Sequence, residues 1–162
     1  ALLSYCQERA LSTLLSRAGE VLAQDGREDG KLFLLLDAHL RCLHHEIPGS
    51  VAHLEVESLD VAARGPVLRR RRRYEKCVRD LLEAGMERGV FRRIDPAVVT
   101  KALLGAVNWT VKWFRPKGRM SIADLSRALL EPMILGLVAD PAGCVLPAPA
   151  APEQKEDSDD GR

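Results

Sequence analysis

The chain has 162 residues, of which 46% are hydrophobic and 29% charged. That is the balance of a folded domain with a real apolar core, and it excludes a wholly disordered chain. Aromatic residues make up only 4% while Leu, Ala and Arg abound, which favours helix over strand, and a net charge of +1 carries no strong electrostatic instruction for the molecule as a whole. No apolar run approaches the roughly 20 residues needed to cross a membrane. The four cysteines, Cys6, Cys42, Cys77 and Cys144, lack metal-clip spacing and no secretory signal precedes them. They read as reduced thiols of a cytoplasmic protein, with no metal and no cofactor expected.

In chain order, Leu2 to Ala23 carries apolar residues at Leu3, Cys6, Ala10, Leu14, Ala18, Val21 and Leu22, a helical spacing. It opens like a helix interior, with no capping residue near Ala1, so we expect the natural chain to continue upstream. Gln24-Asp25-Gly26 ends this helix. Arg27 to Ile47 forms a second one, with Leu32, Leu35, Leu36, His39, Leu40 and Leu43 on one face. After Pro48-Gly49, Ser50 caps a short third helix reaching about Ala63, and Gly65-Pro66 breaks the chain again. A fourth helix is expected from Pro66 to about Arg88, with Tyr74, Cys77, Val78, Leu81, Leu82 and Gly85 facing inward and Gly89 ending it.

Asp95-Pro96 reads as the cap and first turn of a fifth helix running to about Phe114. Ser121 caps a sixth, to about residue 139, with Ile122, Leu125, Leu129, Met133 and Leu137 inward and Pro132 inside it. The pattern predicts an all-α, six-helix domain over residues 1–139. The Pro/Ala-rich and then acidic residues 140–162 are expected to be a disordered tail.

The most specific signal lies between Tyr74 and Leu137. Gly85-Met86-Glu87-Arg88-Gly89-Val90-Phe91-Arg92, followed by Asp95-Pro96, resembles a passage common in the effector domains of TetR-family transcriptional regulators. The run Trp109 to Gly118, with Trp113-Phe114-Arg115-Pro116, is similar to the subgroup that senses acyl-CoA thioesters in fatty-acid and steroid breakdown. The resemblance is good over about residues 66–139 and looser over 1–63. It implies a C-terminal effector-binding and dimerisation domain without the helix-turn-helix half, so that operator DNA is contacted only through a missing N-terminal domain. It also implies that the last two helices pair with their copies in a four-helix homodimer interface, and that the pocket lies among the earlier helices and the inner face of the Trp109 helix. The expected protein is a ligand-responsive repressor, released from DNA by a small apolar or acyl-CoA-like effector. A helical protein–protein interaction module without a small ligand is the alternative.

Within this frame, Trp109, Trp113, Leu36, His39, Tyr74 and Arg73 are candidates for ligand contact, and Gly105, Trp109, Lys112, Leu125, Leu129 and Met133 for the dimer interface. Trp109 and Trp113 share one helical face, where packing and ligand contact are both open. Gly105, one turn earlier, gives another helix room to approach. Arg69 to Arg73 spans more than one turn and so points nearly all round; it can be a solvated face, a phosphate anchor or a nucleic-acid contact. His39 sits on an apolar face, while the adjacent His44 and His45 point about 100° apart and suit no shared metal. We find no phosphate-binding glycine loop, nucleophile elbow or metalloprotease motif, and the chain does not read as an enzyme.

Overall fold

The computed structural model describes residues 2–46 and 61–150. Among them are five α-helices: α1 (Leu2–Ala23), α2 (Glu28–Arg41), α3 (Val61–Glu87), α4 (Pro96–Trp113) and α5 (Ile122–Leu135). The all-helical class matches the sequence pattern. The short third helix expected to end near Ala63 falls mostly outside the described residues.

Local chemistry sets several helix ends. Asp95 accepts hydrogen bonds from the Ala97 and Val98 amides at 2.9 and 3.1 Å, and Pro96 takes the first position of α4, where its missing N–H costs nothing. At α5 the Ser121 hydroxyl accepts from the Asp124 amide while the Asp124 carboxylate accepts from the Ser121 amide, a reciprocal capping box.

Three boundaries differ from expectation. Gly65-Pro66 does not break the chain, because α3 runs through it from Val61. Near a helix start, Pro removes a single bond of the ladder, and burial of Val67 just beyond it favours continuity. The second helix stays regular only to Arg41 and then widens into a π-helical turn, Cys42–Glu46. The last helix stops at Leu135. Residues 137–139 pair instead with the link after α3: the Arg92 amide bonds Leu137 O, and the Ala139 amide bonds Val90 O, both at 2.9 Å.

That link explains the glycine-rich passage. Gly89 has φ +72°, a left-handed conformation that glycine adopts without strain. The chain then folds back so that the Gly85 carbonyl accepts from both Val90 and Phe91, and the buried Phe91 ring lies on Gly85 itself. A Cβ at Gly85 would fall within 2.3 Å of that ring. The turn is clamped from α2, where buried Glu28 pairs with Arg88 at 2.8 Å.

α2 is the central helix, buried on most of its circumference, with Leu32, Phe33, Leu35, Leu36 and Leu40 in the core. The proximity of Glu28 to Arg88 and of His39 to Tyr74 shows that α2 and α3 run antiparallel. The segment after α5, expected to be disordered from residue 140, instead lies along α2 as far as Ala150. Asp140 caps a short 3-10 turn (Pro141–Gly143), and Pro147 sits 3.6 Å from where a Cβ of Gly30 would be. The Ala150 amide donates to the buried carboxylate of Asp37, which also holds Arg41 at 2.9 Å. Satisfying a buried carboxylate is one reason the strap stays in place. Residues 151–162 lie outside the described residues.

Candidate functional site

Two regions hold the sequence-predicted residues. The first is the end of the bundle where α1, α2 and α3 meet. Here the inner stripe of α3 is Val67, Arg71, Tyr74, Val78 and Leu82, spaced by three and four residues. Tyr74 is 3% exposed and its ring meets the buried His39 ring edge-on, with centroids 5.2 Å apart. Its hydroxyl is buried and, among the described residues, has no hydrogen-bond partner. Burial, with Cys42 and Cys77 nearby, holds the phenol far above its ordinary pKa, so it stays a neutral donor. α1 brings buried Gln7 to this level, beside Glu8, which pairs with Arg70 at 3.2 Å. The Cys42 thiol donates to Ala10 O at 3.8 Å.

The π-helical turn carries the cluster across to α4. His44 Nε2 lies 2.8 Å from the Thr110 hydroxyl, and that hydroxyl donates its proton to Val107 O at 2.7 Å. The ring nitrogen must therefore be the donor, which sets the histidine tautomer. The same ring meets the buried Phe114 edge-on at 4.8 Å.

Of the candidate ligand residues, His39 and Tyr74 come together here. Leu36 is fully buried in the main core. Arg73 does not belong to this group: it is exposed, whereas Arg71 occupies the inner stripe, half-buried, its guanidinium pKa lowered by desolvation. The register of Val67, Tyr74 and Val78 leaves Arg70 and Arg71 on or beside the inner stripe, both half-buried, with Arg71 the nearer to its centre. Arg69 and Arg72 are exposed like Arg73. Gln7 and Thr110 are not among the sequence-predicted site residues, and His44 is weighed from sequence only as a metal ligand; their one signal is a polar residue on an otherwise apolar face.

The second region is the outward side of α4 and α5. Trp109 and Val98 are each 62% exposed and Trp113 49%, and they form one stripe with exposed Gly105 and Lys112. The two tryptophans point away from the inner cluster. A Cβ on Gly105 would meet nothing within 4 Å, so the domain's own packing does not require glycine there.

On α5 the core row is Ile122, Leu125, Ser126, Leu130 and Ile134, not the expected Leu129, Met133 and Leu137. Leu125 is 1% exposed and belongs to the domain's own core, so it is not part of the outward face. Leu129 and Met133 are half-buried at the edge of that core. A shallow groove of about 440 Å³ runs along the outer side of α5, lined by Asp124, Arg127, Ala128, Glu131, Pro132 and Leu135. None of its lining residues is a candidate ligand residue.

Among the described residues no His, Cys, Asp and Glu group could hold a metal ion, and no helix is long and apolar enough to cross a membrane.

Comparisons with known proteins bear on both regions. None of the curated proteins matches the chain. Several solved structures are similar. A TetR family transcriptional regulator, PfmR, from Thermus thermophilus is 30% identical with a TM-score of 0.75, covering 82% of this chain and 72% of that one. The ketosteroid transcriptional regulator KstR2 of Mycobacterium tuberculosis is 20% identical with a TM-score of 0.78, covering 85% and 72%. AibR, solved in complex with isovaleryl coenzyme A and operator DNA, is 19% identical with a TM-score of 0.69, covering 85% and 73%. At such identities the last two show a shared fold. The family model described as "Tetracyclin repressor-like, C-terminal domain" matches residues 25–137, which takes in α2 to α5, and the chain therefore belongs to the tetracycline-repressor-like regulators through their C-terminal domain.

Proposed function

We propose that this chain is the effector-binding and dimerisation part of a transcriptional repressor, and that a small apolar or acyl-CoA-like effector entering the inner end of the bundle releases the protein from operator DNA. The observation that carries the reading is the pairing, within a tetracycline-repressor-like domain, of a buried polar cluster around Tyr74 with an outward apolar stripe on α4. An unpartnered hydroxyl inside the protein costs about 1–3 kcal/mol, a cost that a ligand acceptor offsets. Exposed tryptophans at helical spacing are the kind of anchor that protein interfaces bury.

The homodimer forms through α4 and α5, with Gly105, Trp109, Lys112, Leu129 and Met133 at or beside the contact. His44, which joins the effector end to Thr110 on α4, lies on the route between the two regions. DNA is contacted by a helix-turn-helix head preceding α1 in the whole regulator; the match to the C-terminal part of the family supports this. The isovaleryl coenzyme A held by AibR makes acyl thioesters the first effectors to test. The effector must favour the DNA-incompetent state, because equal affinity for both states shifts nothing.

The test is thermal unfolding of the full chain against coenzyme A thioesters of short, medium and long acyl chains, together with uncharged ketones and alcohols. The melting temperature should rise with ligand concentration, as mass action requires. A flat response across the whole panel overturns the effector reading.

A further inference from the structure

The arginine run of α3 has an outer side that the effector reading leaves unused. Arg69, Arg72, Arg73 and Lys76 recur at the i, i+3, i+4, i+7 spacing, so they share one helical face, turned away from the buried stripe of Val67, Tyr74 and Val78. All of them are exposed. Of the nearby carboxylates, Glu8 holds Arg70, Asp80 holds Lys76 and Glu83 holds Arg79. Half-buried Glu75 pairs with none of the run. Arg69, Arg72 and Arg73 therefore stand without an ion pair among the described residues. Arg69 and Arg73 lie one turn apart, where like charges repel. The run is a cost to the isolated helix that an anion offsets.

Three features select the anion. The unpaired guanidiniums cover about 6 Å of helix axis, over which one strand of DNA presents roughly two or three phosphates. Each guanidinium is a planar fork that matches phosphate oxygens. The Glu8–Arg70 pair, at 3.2 Å, fixes the run beside the second turn of α1, the end at which the proposed helix-turn-helix head joins the domain.

We propose that the outer side of α3 is a second, sequence-independent contact with duplex DNA, in which Arg69, Arg72 and Arg73 hold the phosphate backbone beside the operator. This rests on the reading of the chain as part of a DNA-binding regulator and adds a surface of its own to the contact made by the head. A phosphate contact of this kind positions the protein and carries no base information. The contact is local. Charges more than about 10 Å away are screened at roughly 0.1 M salt, so the chain's net charge of +1 does not decide it.

The experiment is fluorescence anisotropy of a labelled DNA duplex of arbitrary sequence, titrated with the full chain across a salt series. With three phosphate contacts, affinity should fall about fortyfold between roughly 50 and 200 mM KCl. Arg69→Gln, Arg72→Gln and Arg73→Gln should each lower the slope of log affinity against log salt by about 1, and the triple variant should remove the binding. Replacing all three by Lys should keep the slope, which counts charges and not forks. A control carrying Arg92→Gln, Arg93→Gln and Arg119→Gln removes the same charge from exposed positions elsewhere and should bind like the unaltered chain.

No anisotropy change at about 50 mM KCl overturns the proposal. So does a control that binds as weakly as the triple glutamine variant, because net charge alone then accounts for the binding. Tighter binding of poly-glutamate than of DNA through the same arginines also overturns it, in favour of an acidic protein partner. The effector reading stands in each case, since it falls only on a silent thermal panel.

Discussion

The inner end of the bundle and the outer side of α4 depart from the usual sorting of residues in opposite directions. Around Tyr74 and His39, polar groups sit where water does not reach. Along Val98, Trp109 and Trp113, large apolar groups stand in water. A buried polar cluster and an exposed apolar stripe are the two informative exceptions to hydrophobic sorting. Each is a cost to the isolated chain, and the proposed function assigns each a different partner. Among the described residues the Tyr74 hydroxyl has no acceptor, which the proposed effector would supply. The outer stripe stands uncovered in the single chain, and the proposed second copy would cover it. One helix, α4, has Thr110 on one side and Trp109 on the other, so adjacent residues serve the two regions.

This contrast can be broken experimentally. The largest effect is expected at the outer stripe. Trp109→Glu puts a charge in the centre of the proposed interface and should weaken self-association about a hundredfold, read by sedimentation equilibrium. Ligand binding at the inner end should survive it.

Next is the turn that holds the two halves together. Gly85→Ala drives a methyl group into the Phe91 ring and should cost about 1–3 kcal/mol in urea unfolding, because the core must shift to admit it. The dimer constant, corrected for the fraction unfolded, should not change.

Tyr74→Phe is expected to act in the opposite sense on the free protein. It removes a buried hydroxyl that has no hydrogen-bond partner among the described residues, so the ligand-free chain should gain about 1 kcal/mol of stability even as effector binding weakens. A stability loss would mean that the hydroxyl is satisfied in solution and would weaken the case for the inner site.

The smallest effect concerns Asp124. The Ser121 hydroxyl, and then the Ser121 amide, hold its carboxyl below the ordinary value. A lowered carboxyl stabilises the fold above its unfolded pKa, and that contribution fades as pH falls through the folded value. Ser121→Ala should therefore flatten the acid limb of the stability profile slightly, with ligand binding and dimerisation untouched at neutral pH.

Much of the frame was legible in the sequence because it is written in local chemistry. Asp95-Pro96 and Ser121-Asp124 carry their helix starts in the side chains themselves, and Gly85 and Gly89 mark a turn that only small residues permit. What was not legible depended on which of two equivalent faces meets which partner. Ile122 and Leu125 face the core as expected, but beyond them the chain offers two largely apolar continuations, Ser126, Leu130, Ile134 and Leu129, Met133, Leu137. The first carries the polar Ser126, although it is the one packed within the domain.

The arginine run posed the same problem. Neighbouring residues differ by about 100° around a helix, and only the register of Val67 and Tyr74 selects Arg71 over Arg73. The third difference, the strap over α2, came from reading composition alone. Pro and Ala without a core of their own still order when a buried carboxylate such as Asp37 needs a donor.

The chain's only two tryptophans, Trp109 and Trp113, both lie on the outward stripe, so tryptophan emission reports on that face alone. Measured across a dilution series, the emission should be blue-shifted at micromolar protein, as for indole rings buried between two copies, and should move to the red as the dimer dissociates. Emission characteristic of solvated indole at every concentration would contradict the proposal that this face is where two regulators meet.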